Sequence, residues 1–238
     1  MDSNTKATLE GITTATITTV LLKKGLRNVW LRGVFPRQPG QKRLAGVAFT
    51  LRFVPAREDL ATPASWASPN STRGAVESMP PGCIAVADAL GITSAGIFGD
   101  ILCARMAKRE IAGLITDGVL RDKDGVLATK LPLWCAGFAA PPSVAGLTFV
   151  GWEEPIACGG VAVFPGDAIV ADNDGAVVIP KAILNEVIAE SVEQEAQETW
   201  IVSEIDRGMP LPGLYPMNAE TRARYDAGRK ANRDDGLR

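Results

Sequence analysis

Asp100 and the pair Arg121-Asp122, with 20 residues between them, are the side chains whose types and spacing point to chemistry. Arg121 offers a rigid fork that fits a carboxylate, and Asp122 beside it supplies oxygen donors suited to a hard divalent cation. Asp100 closes the segment Gly96-Ile97-Phe98-Gly99-Asp100, whose glycines let the backbone turn sharply and approach a ligand. Read locally, Asp100 is a good N-cap for a following helix, and an Arg-Asp dipeptide is ordinary surface. The first amides of that helix, near Ile101 and Leu102, are predicted to point outward unpaired, which suits a carboxylate or phosphate. The interval joins the two segments. A helix followed by a parallel strand returns the chain to the same sheet edge, where α/β proteins bind ligands, and sets Asp100 beside Arg121 and Asp122.

The elements needed for that return are visible in the pattern. Cys83–Ala89 reads as a short apolar strand, Asp100–Arg109 as a helix and Ala112–Gly118 as the next strand. Before them come a helix over Thr13–Gly25, stopped by Gly25, a strand over Leu44–Val54 and a short helix over Arg73–Met79. LWCAGFA from Leu133 and LTFVGW from Leu147 continue the alternation, which defines a layered α/β domain. From Gly159 to Pro180 the pattern changes. Two apolar runs flank Asp172-Asn173-Asp174-Gly175, a hairpin signal, and Pro165-Gly166-Asp167 is a second turn. This half reads as β-rich and antiparallel, so the mixture predicts an α/β/β/α arrangement and not a doubly wound sheet.

A long helix is expected over Lys181–Arg207, with Ile183, Val187, Ile188, Val192 and Ile205 forming an apolar stripe. The domain is therefore placed at residues 1–207, including its N-terminal and C-terminal helices, and a proline-rich arm and basic tail at 208–238. That arm reads as extended, and the tail from Thr221, with six basic and three acidic residues, as a solvated and frayed terminus. The stretch Pro55–Thr72, with three prolines and Trp66, is a loop long enough to be functional or mobile.

Composition narrows the chemistry. The 238 residues include no His, so a Ser-His-Asp triad, a Cys-His pair, His-ligated zinc and an imidazole base are excluded. The balance of 25 Lys+Arg against 27 Asp+Glu lacks the basic field of a general nucleic-acid binder. Four scattered cysteines show no CxxC spacing, and Cys83, Cys103 and Cys135 lie in apolar runs where a thiol behaves as a small hydrophobe. No apolar stretch reaches the roughly 20 residues that cross a bilayer, and the start carries no secretory signal. The expectation is a soluble cytoplasmic protein without nucleic-acid or membrane partners.

Taken together, GIFGD, the Asp-x20-Arg-Asp signature at Asp100 and Arg121-Asp122, PGD at Pro165–Asp167 and the DNDG hairpin resemble one family. It joins the class II 4-hydroxy-4-methyl-2-oxoglutarate/4-carboxy-4-hydroxy-2-oxoadipate aldolases with the regulators of ribonuclease activity A, the RraA-like proteins. The resemblance covers roughly Thr13 to Glu198. It implies a swivelling α/β/β/α fold with a long C-terminal helix, assembled as a homotrimer or homohexamer with active sites between subunits. It further implies a Mg²⁺ or Mn²⁺ ion held by Asp122 and waters, with Asp100 orienting those waters. Arg121 would grip a small 2-oxo acid together with the turn from Gly96 through Phe98, Gly99 and Ile101 to Leu102. A glutamate from the neighbouring subunit's C-terminal helix would complete the site, matched here by Glu198, with Glu195 one turn earlier.

The implied activity is class II aldol cleavage of a small 4-hydroxy-2-oxo acid to pyruvate, with oxaloacetate decarboxylation beside it. A divalent cation and Arg121 would hold the enolate charge, so no Schiff-base lysine is needed, and Lys123 and Lys130 have polar flanks. Two other readings stay open: a non-catalytic regulator that binds ribonuclease E, and a metal-dependent dehydratase or isomerase of a sugar-derived 2-oxo acid. The Pro55–Thr72 loop and the GMPLPGLYPMN arm depart from the family pattern and bear on the substrate pocket.

Overall fold

The computed structural model describes residues 1–235, and side chains through 229. In chain order the first elements are α1 (Ser3–Glu10), α2 (Thr14–Lys23), β1 (Phe35–Pro36), β2 (Leu44–Pro55), α3 (Thr72–Ser78) and β3 (Ile84–Asp88). Next come α4 (Asp100–Lys108), β4 (Gly113–Thr116), β5 (Val119–Leu120), α5 (Lys123–Ala128), β6 (Leu133–Cys135) and β7 (Gly137–Phe138). The last are β8 (Leu147–Trp152), β9 (Ala168–Asp172), β10 (Gly175–Ile179), α6 (Leu184–Asp206) and α7 (Ala219–Asp235). The chain divides into two compact units, Met1–Ile188 and Ala189–Arg238, with the division inside α6.

In the first unit the main sheet runs β1-β6-β4-β3-β2-β9-β10, with β8 also paired to β2. β2, β3, β4 and β6 are mutually parallel, whereas β9 and β10 are antiparallel and β9 pairs antiparallel with the first half of β2. The segment from Leu31 to Pro36 spans the two ends of the sheet. The Leu31 N–H donates to the Ala176 carbonyl at 2.9 Å, and Phe35 pairs with Cys135, so the sheet nearly closes into a barrel.

Three apolar clusters define the layers. Leu114, Leu133, Phe53 and Phe98 pack with Val76, Cys103, Met106 and Val126 of α3, α4 and α5. Trp134, Ile115, Val86 and Ile84 meet Ile169, Val178, Leu31 and Val34 between the two halves of the sheet. Val170, Val177 and Ile179 meet Leu9, Ile17, Val20 and Leu21 of α1 and α2. The order helix, sheet, sheet, helix is the α/β/β/α arrangement that the change of pattern near Gly159 implied. All four cysteines are free and buried, and burial pushes the Cys83 and Cys103 thiols up to about 12.

Several local expectations are corrected. α1 was not read from the sequence; Asp2 caps it by accepting from the Thr5 N–H at 2.9 Å. Of the stripe proposed for α6, Val187 is buried, whereas Val192 and Ile205 are exposed. In the second unit, the segment between the last two helices folds into turns, with Leu214 buried and its N–H donating to Leu211 at 2.9 Å. The tail expected to fray is the helix α7. The Asn218 side chain caps it by accepting from the Thr221 N–H at 2.8 Å, and Tyr225 sits edge-on to Trp200 at 5.5 Å. Glu204, buried on α6, receives Arg207 and Arg224. The final residues 236–238 of the basic tail lie outside the described residues. Among the described residues, no helix is long and apolar enough to cross a membrane.

At the carboxyl ends of β3 and β4 two acidic side chains organise the loops. Asp117 accepts from the Ala89 N–H at 2.8 Å, the Gly91 N–H at 3.1 Å and the Gly159 N–H at 3.0 Å. Asp88 accepts from the Leu90 and Ala157 N–H groups, each at 3.0 Å. Burial raises the Asp117 carboxyl above its ordinary 3.8, opposed by the hydrogen bonds it accepts and aided by the Asp88 charge. The folded protein thus binds this proton at a pH where the unfolded chain has released it. The stabilisation is present in full below 3.8 and is lost as pH rises through the raised value. Asp117→Asn is expected to cost about 1–3 kcal/mol by turning an amide against backbone donors. It should also remove this component of the pH dependence, checked by thermal melts of both proteins across the acid range.

Candidate active site

The return of the chain from β3 through α4 to β4 and β5 brings two segments against each other. The Arg121 N–H donates to the Phe98 carbonyl at 2.9 Å, the Ile97 N–H to the Val119 carbonyl at 2.9 Å, and the Gly96 N–H to the Pro141 carbonyl at 2.9 Å. Gly96 through Phe98 is therefore threaded between the β5 strand and the loop after β7. The result is a hollow of about 200 Å³ lined by Gly96, Gly99, Asp100, Ile101, Leu102, Arg121 and Asp122. Every candidate named for the two motifs meets there except Phe98. Its ring is buried and packs edge-on to Phe53 at 6.4 Å, so it shapes the hollow from behind.

The two carboxylates are seated differently. Asp122 has left-handed backbone angles, φ 55° and ψ 51°, immediately before α5. Asp and Asn tolerate that region better than other side chains, yet it still stores strain, which concentrates at functional positions. Its Oδ2 accepts from Arg121 Nε at 3.0 Å, and both side chains remain partly exposed to the hollow. Asp100 is the first residue of α4, not its cap. The cap is Gly99, and Asp100 Oδ1 accepts from the Ile101 N–H at 2.7 Å. That bond corrects the expectation of two free amides: the Ile101 amide is taken, and the Leu102 amide has no acceptor among the described residues.

Two glycines make room for these acids. A Cβ on Gly99 would fall 2.6 Å from Asp122 Oδ2, and one on Gly125 would fall 2.7 Å from the Asp100 Cβ. Gly125 lies within α5, where glycine costs about 1 kcal/mol relative to alanine, so its presence reflects space and not helix formation. Sequence reasoning missed Gly125; a glycine inside a helical segment was the available signal. Trp66 and Thr72, from the Pro55–Thr72 loop expected to bear on the pocket, also line it, whereas Arg73, Pro142 and Ser143 were missed.

The donor set is compatible with a hard divalent cation. Asp100 and Asp122 offer only oxygen, as Mg²⁺ and Mn²⁺ favour, and such ions are commonly held by one or two carboxylates with water. Among the described residues no group of three potential acidic or thiol ligands forms, so the rest of the shell would come from water and substrate. Glu198 belongs to the second unit, on α6, where its Oε1 accepts from Gln194 Nε2 at 2.7 Å, with Glu195 one turn before it.

An α/β/β/α barrel with an Asp-Arg-Asp hollow at the ends of its parallel strands defines the class. The family profile described as RraA-like, Aldolase/RraA, matches residues 14–178, and the chain belongs to that family. It is 35% identical over 119 residues to a protein of Halalkalibacterium halodurans named "Putative 4-hydroxy-4-methyl-2-oxoglutarate aldolase", covering 50% of this chain and 56% of that one. The chain spans between 28% and 56% of the length of the curated relatives it first matches. Among solved structures, it resembles Streptomyces coelicolor RraAS2, described as an unusual member of the RNase ES inhibitor RraA protein family. That match has 31% identity and a TM-score of 0.75, covering 84% of this chain and 96% of that one. An uncharacterized protein from Pseudomonas syringae pv. tomato matches with 25% identity and a TM-score of 0.76, over 90% of this chain and 98% of that one.

Gly99→Ala tests the close approach. The substitution is expected to leave the melting temperature within a few degrees while displacing Asp122. Any turnover carried by this hollow should fall about 100-fold, the scale for misplacing a group by roughly 1 Å. Unchanged turnover would show that Asp122 is not held where chemistry occurs.

Proposed function

We propose that the protein is a divalent-metal-dependent class II aldolase that releases pyruvate from a small 4-hydroxy-2-oxo acid, with oxaloacetate decarboxylation as a side activity. The observation that carries this reading is the meeting of Asp100 with Arg121-Asp122 across one hollow beside a helix start. The family and the name of the relative from H. halodurans support it.

Arg121 would bind the substrate carboxylate through its fork, with the Leu102 amide as a further donor. Asp122 would hold Mg²⁺ or Mn²⁺, which supplies positive charge beside the 2-oxo group and so favours the negative charge that bond cleavage leaves there. Asp100 would orient the water that takes the proton from the 4-hydroxyl oxygen. The C3–C4 bond then breaks, C4 becomes a carbonyl, and its electron pair passes to the pyruvyl fragment, which recovers a proton at C3. Arg121 would stabilise the fragment throughout with its guanidinium charge and planar fork. In this reading the site is completed within a homotrimer or homohexamer, where Glu198 of a neighbouring copy approaches it.

The similarity to RraAS2 favours one competing reading, a regulator that binds a ribonuclease through its surface. The two part on a simple assay. Pyruvate release from 4-hydroxy-4-methyl-2-oxoglutarate or oxaloacetate should require Mg²⁺ or Mn²⁺, stop with EDTA, and fall at least about 100-fold in Asp122→Asn. Asparagine suits this test because it tolerates the left-handed backbone while removing the charge. Pyruvate release that persists with EDTA and in that variant contradicts the mechanism, and absence of release together with capture of the nuclease favours the regulator.

A further inference from the structure

We infer that the preferred substrate carries an uncharged apolar group, about the size of a phenyl ring, on C4 of the 2-oxo acid; this rests on the aldolase reading above. A second cavity, of about 310 Å³, adjoins the hollow and shares Trp66, Thr72 and Ser143 with it. For scale, an apolar cavity of roughly 150 Å³ holds benzene, so a ring and its linking carbons fit. One wall comes from the Pro55–Thr72 loop, the other from Ser143, Val144 and the first residues of β8.

None of the described residues lining the cavity is charged. Its polar side chains are engaged with the backbone. Ser65 Oγ donates to the Thr62 carbonyl at 2.7 Å, Ser68 Oγ accepts from the Asn70 N–H at 3.2 Å, and Ser71 Oγ accepts from the Gly74 N–H at 3.3 Å. Much of the remaining lining is apolar: Leu60, Trp66, Val144, Leu147, Phe149 and Val150. A carboxylate placed there would lose water and meet no cation, whereas an apolar group gains by leaving water. Arg73, with its guanidinium carbon 5.3 Å from the centroid of the Trp66 ring, lines the hollow and not the cavity. Trp66 thus marks the boundary between a charged head site and an uncharged tail site.

The loop that walls the cavity is tied down at both ends. The Ala56 N–H donates to the Gly146 carbonyl at 3.1 Å, the Arg57 N–H to Thr148 Oγ1 at 2.9 Å, and Asn70 Nδ2 to the Val150 carbonyl at 3.1 Å. Walls already in place spare a ligand the cost of ordering them. With the head carboxylate on Arg121, the C4 substituent passes Trp66 into the cavity. For a phenyl group there, the C3–C4 bond breaks as the 4-hydroxyl loses its proton. C4 becomes the carbonyl of benzaldehyde, and the electron pair passes to C3, which takes up a proton to give pyruvate.

Calorimetric titration with 2-oxo-4-phenylbutanoate, 2-oxobutanoate and 2-oxoglutarate, in Mg²⁺, tests this. All three lack the 4-hydroxyl and so resist aldol cleavage; they share the head and bear a ring, a hydrogen or a carboxylate on C4. The wild type should bind the phenyl acid at least about tenfold more tightly than either of the others, a span that burying a ring supplies. Val144→Trp, which fills the cavity, should erase that margin while shifting 2-oxobutanoate less than about threefold. Leu60→Ala, at an exposed position, should cut the margin about threefold, and it carries the test if Val144→Trp does not fold. Binding of the phenyl acid no tighter than that of 2-oxobutanoate or 2-oxoglutarate, a margin retained in Val144→Trp, or one left whole by Leu60→Ala would overturn the inference. Its failure alone leaves Mg²⁺-dependent pyruvate release from oxaloacetate intact. If the wild type binds none of the three acids, or Arg121→Gln binds them all normally, the 2-oxo-acid site itself is wrong and both readings fall.

Discussion

Between the Gly96–Gly99 turn and Arg121-Asp122 there is no room for another side chain. The Arg121 amide bonds to the Phe98 carbonyl, and a methyl at Gly99 would overlap the Asp122 carboxylate. This contact sets a guanidinium and two carboxylates around one small hollow, where opposite charges face a shared space without cancelling by burial. The arrangement needs a sheet edge, a helix start and a left-handed turn in register. Small shifts at any of them change which polar group faces the ligand.

The fold supplies that register through buried backbone bonds more than through the exposed ion pairs near the site, which are worth little on their own. Parallel pairing of β3 with β4 places Asp88 and Asp117 at neighbouring strand ends. Asp117 then gathers three amides from two loops, one of which leads directly into Gly96. Keeping a carboxylate there costs desolvation, which its raised proton affinity records, and the return is a fixed path for the turn above it. Helices α3 and α4, joined through Glu77, make the opposite wall.

Much of this was legible because it depends on spacing. Twenty residues between Asp100 and Arg121 suffice for a helix and a strand, and chain geometry then returns the two to one edge. The Asp-Gly hairpin fixed β9 and β10 for the same local reason. What stayed hidden depends on contacts remote in sequence. Arg73 reaches the hollow because the long loop before it folds back, with Asn70 Nδ2 donating to the Val150 carbonyl at 3.1 Å. The left-handed turn at Asp122 sets its carboxylate against Gly99, where only the lack of a side chain leaves room for it. Phe98 is buried in the core cluster beside Phe53, so its ring lies behind the hollow and does not line it. The helical tail was underestimated because its charges find partners: Arg229 and Tyr225 meet Glu193 within the second unit.

A crystal structure of the protein soaked with pyruvate and Mg²⁺ addresses the central claim most directly. The account requires pyruvate in the hollow, its carboxylate on Arg121 and the ion on Asp122, with Asp100 facing the ion's waters. Density for both ligands elsewhere, with Arg121 and Asp122 still joined only to each other, would contradict it.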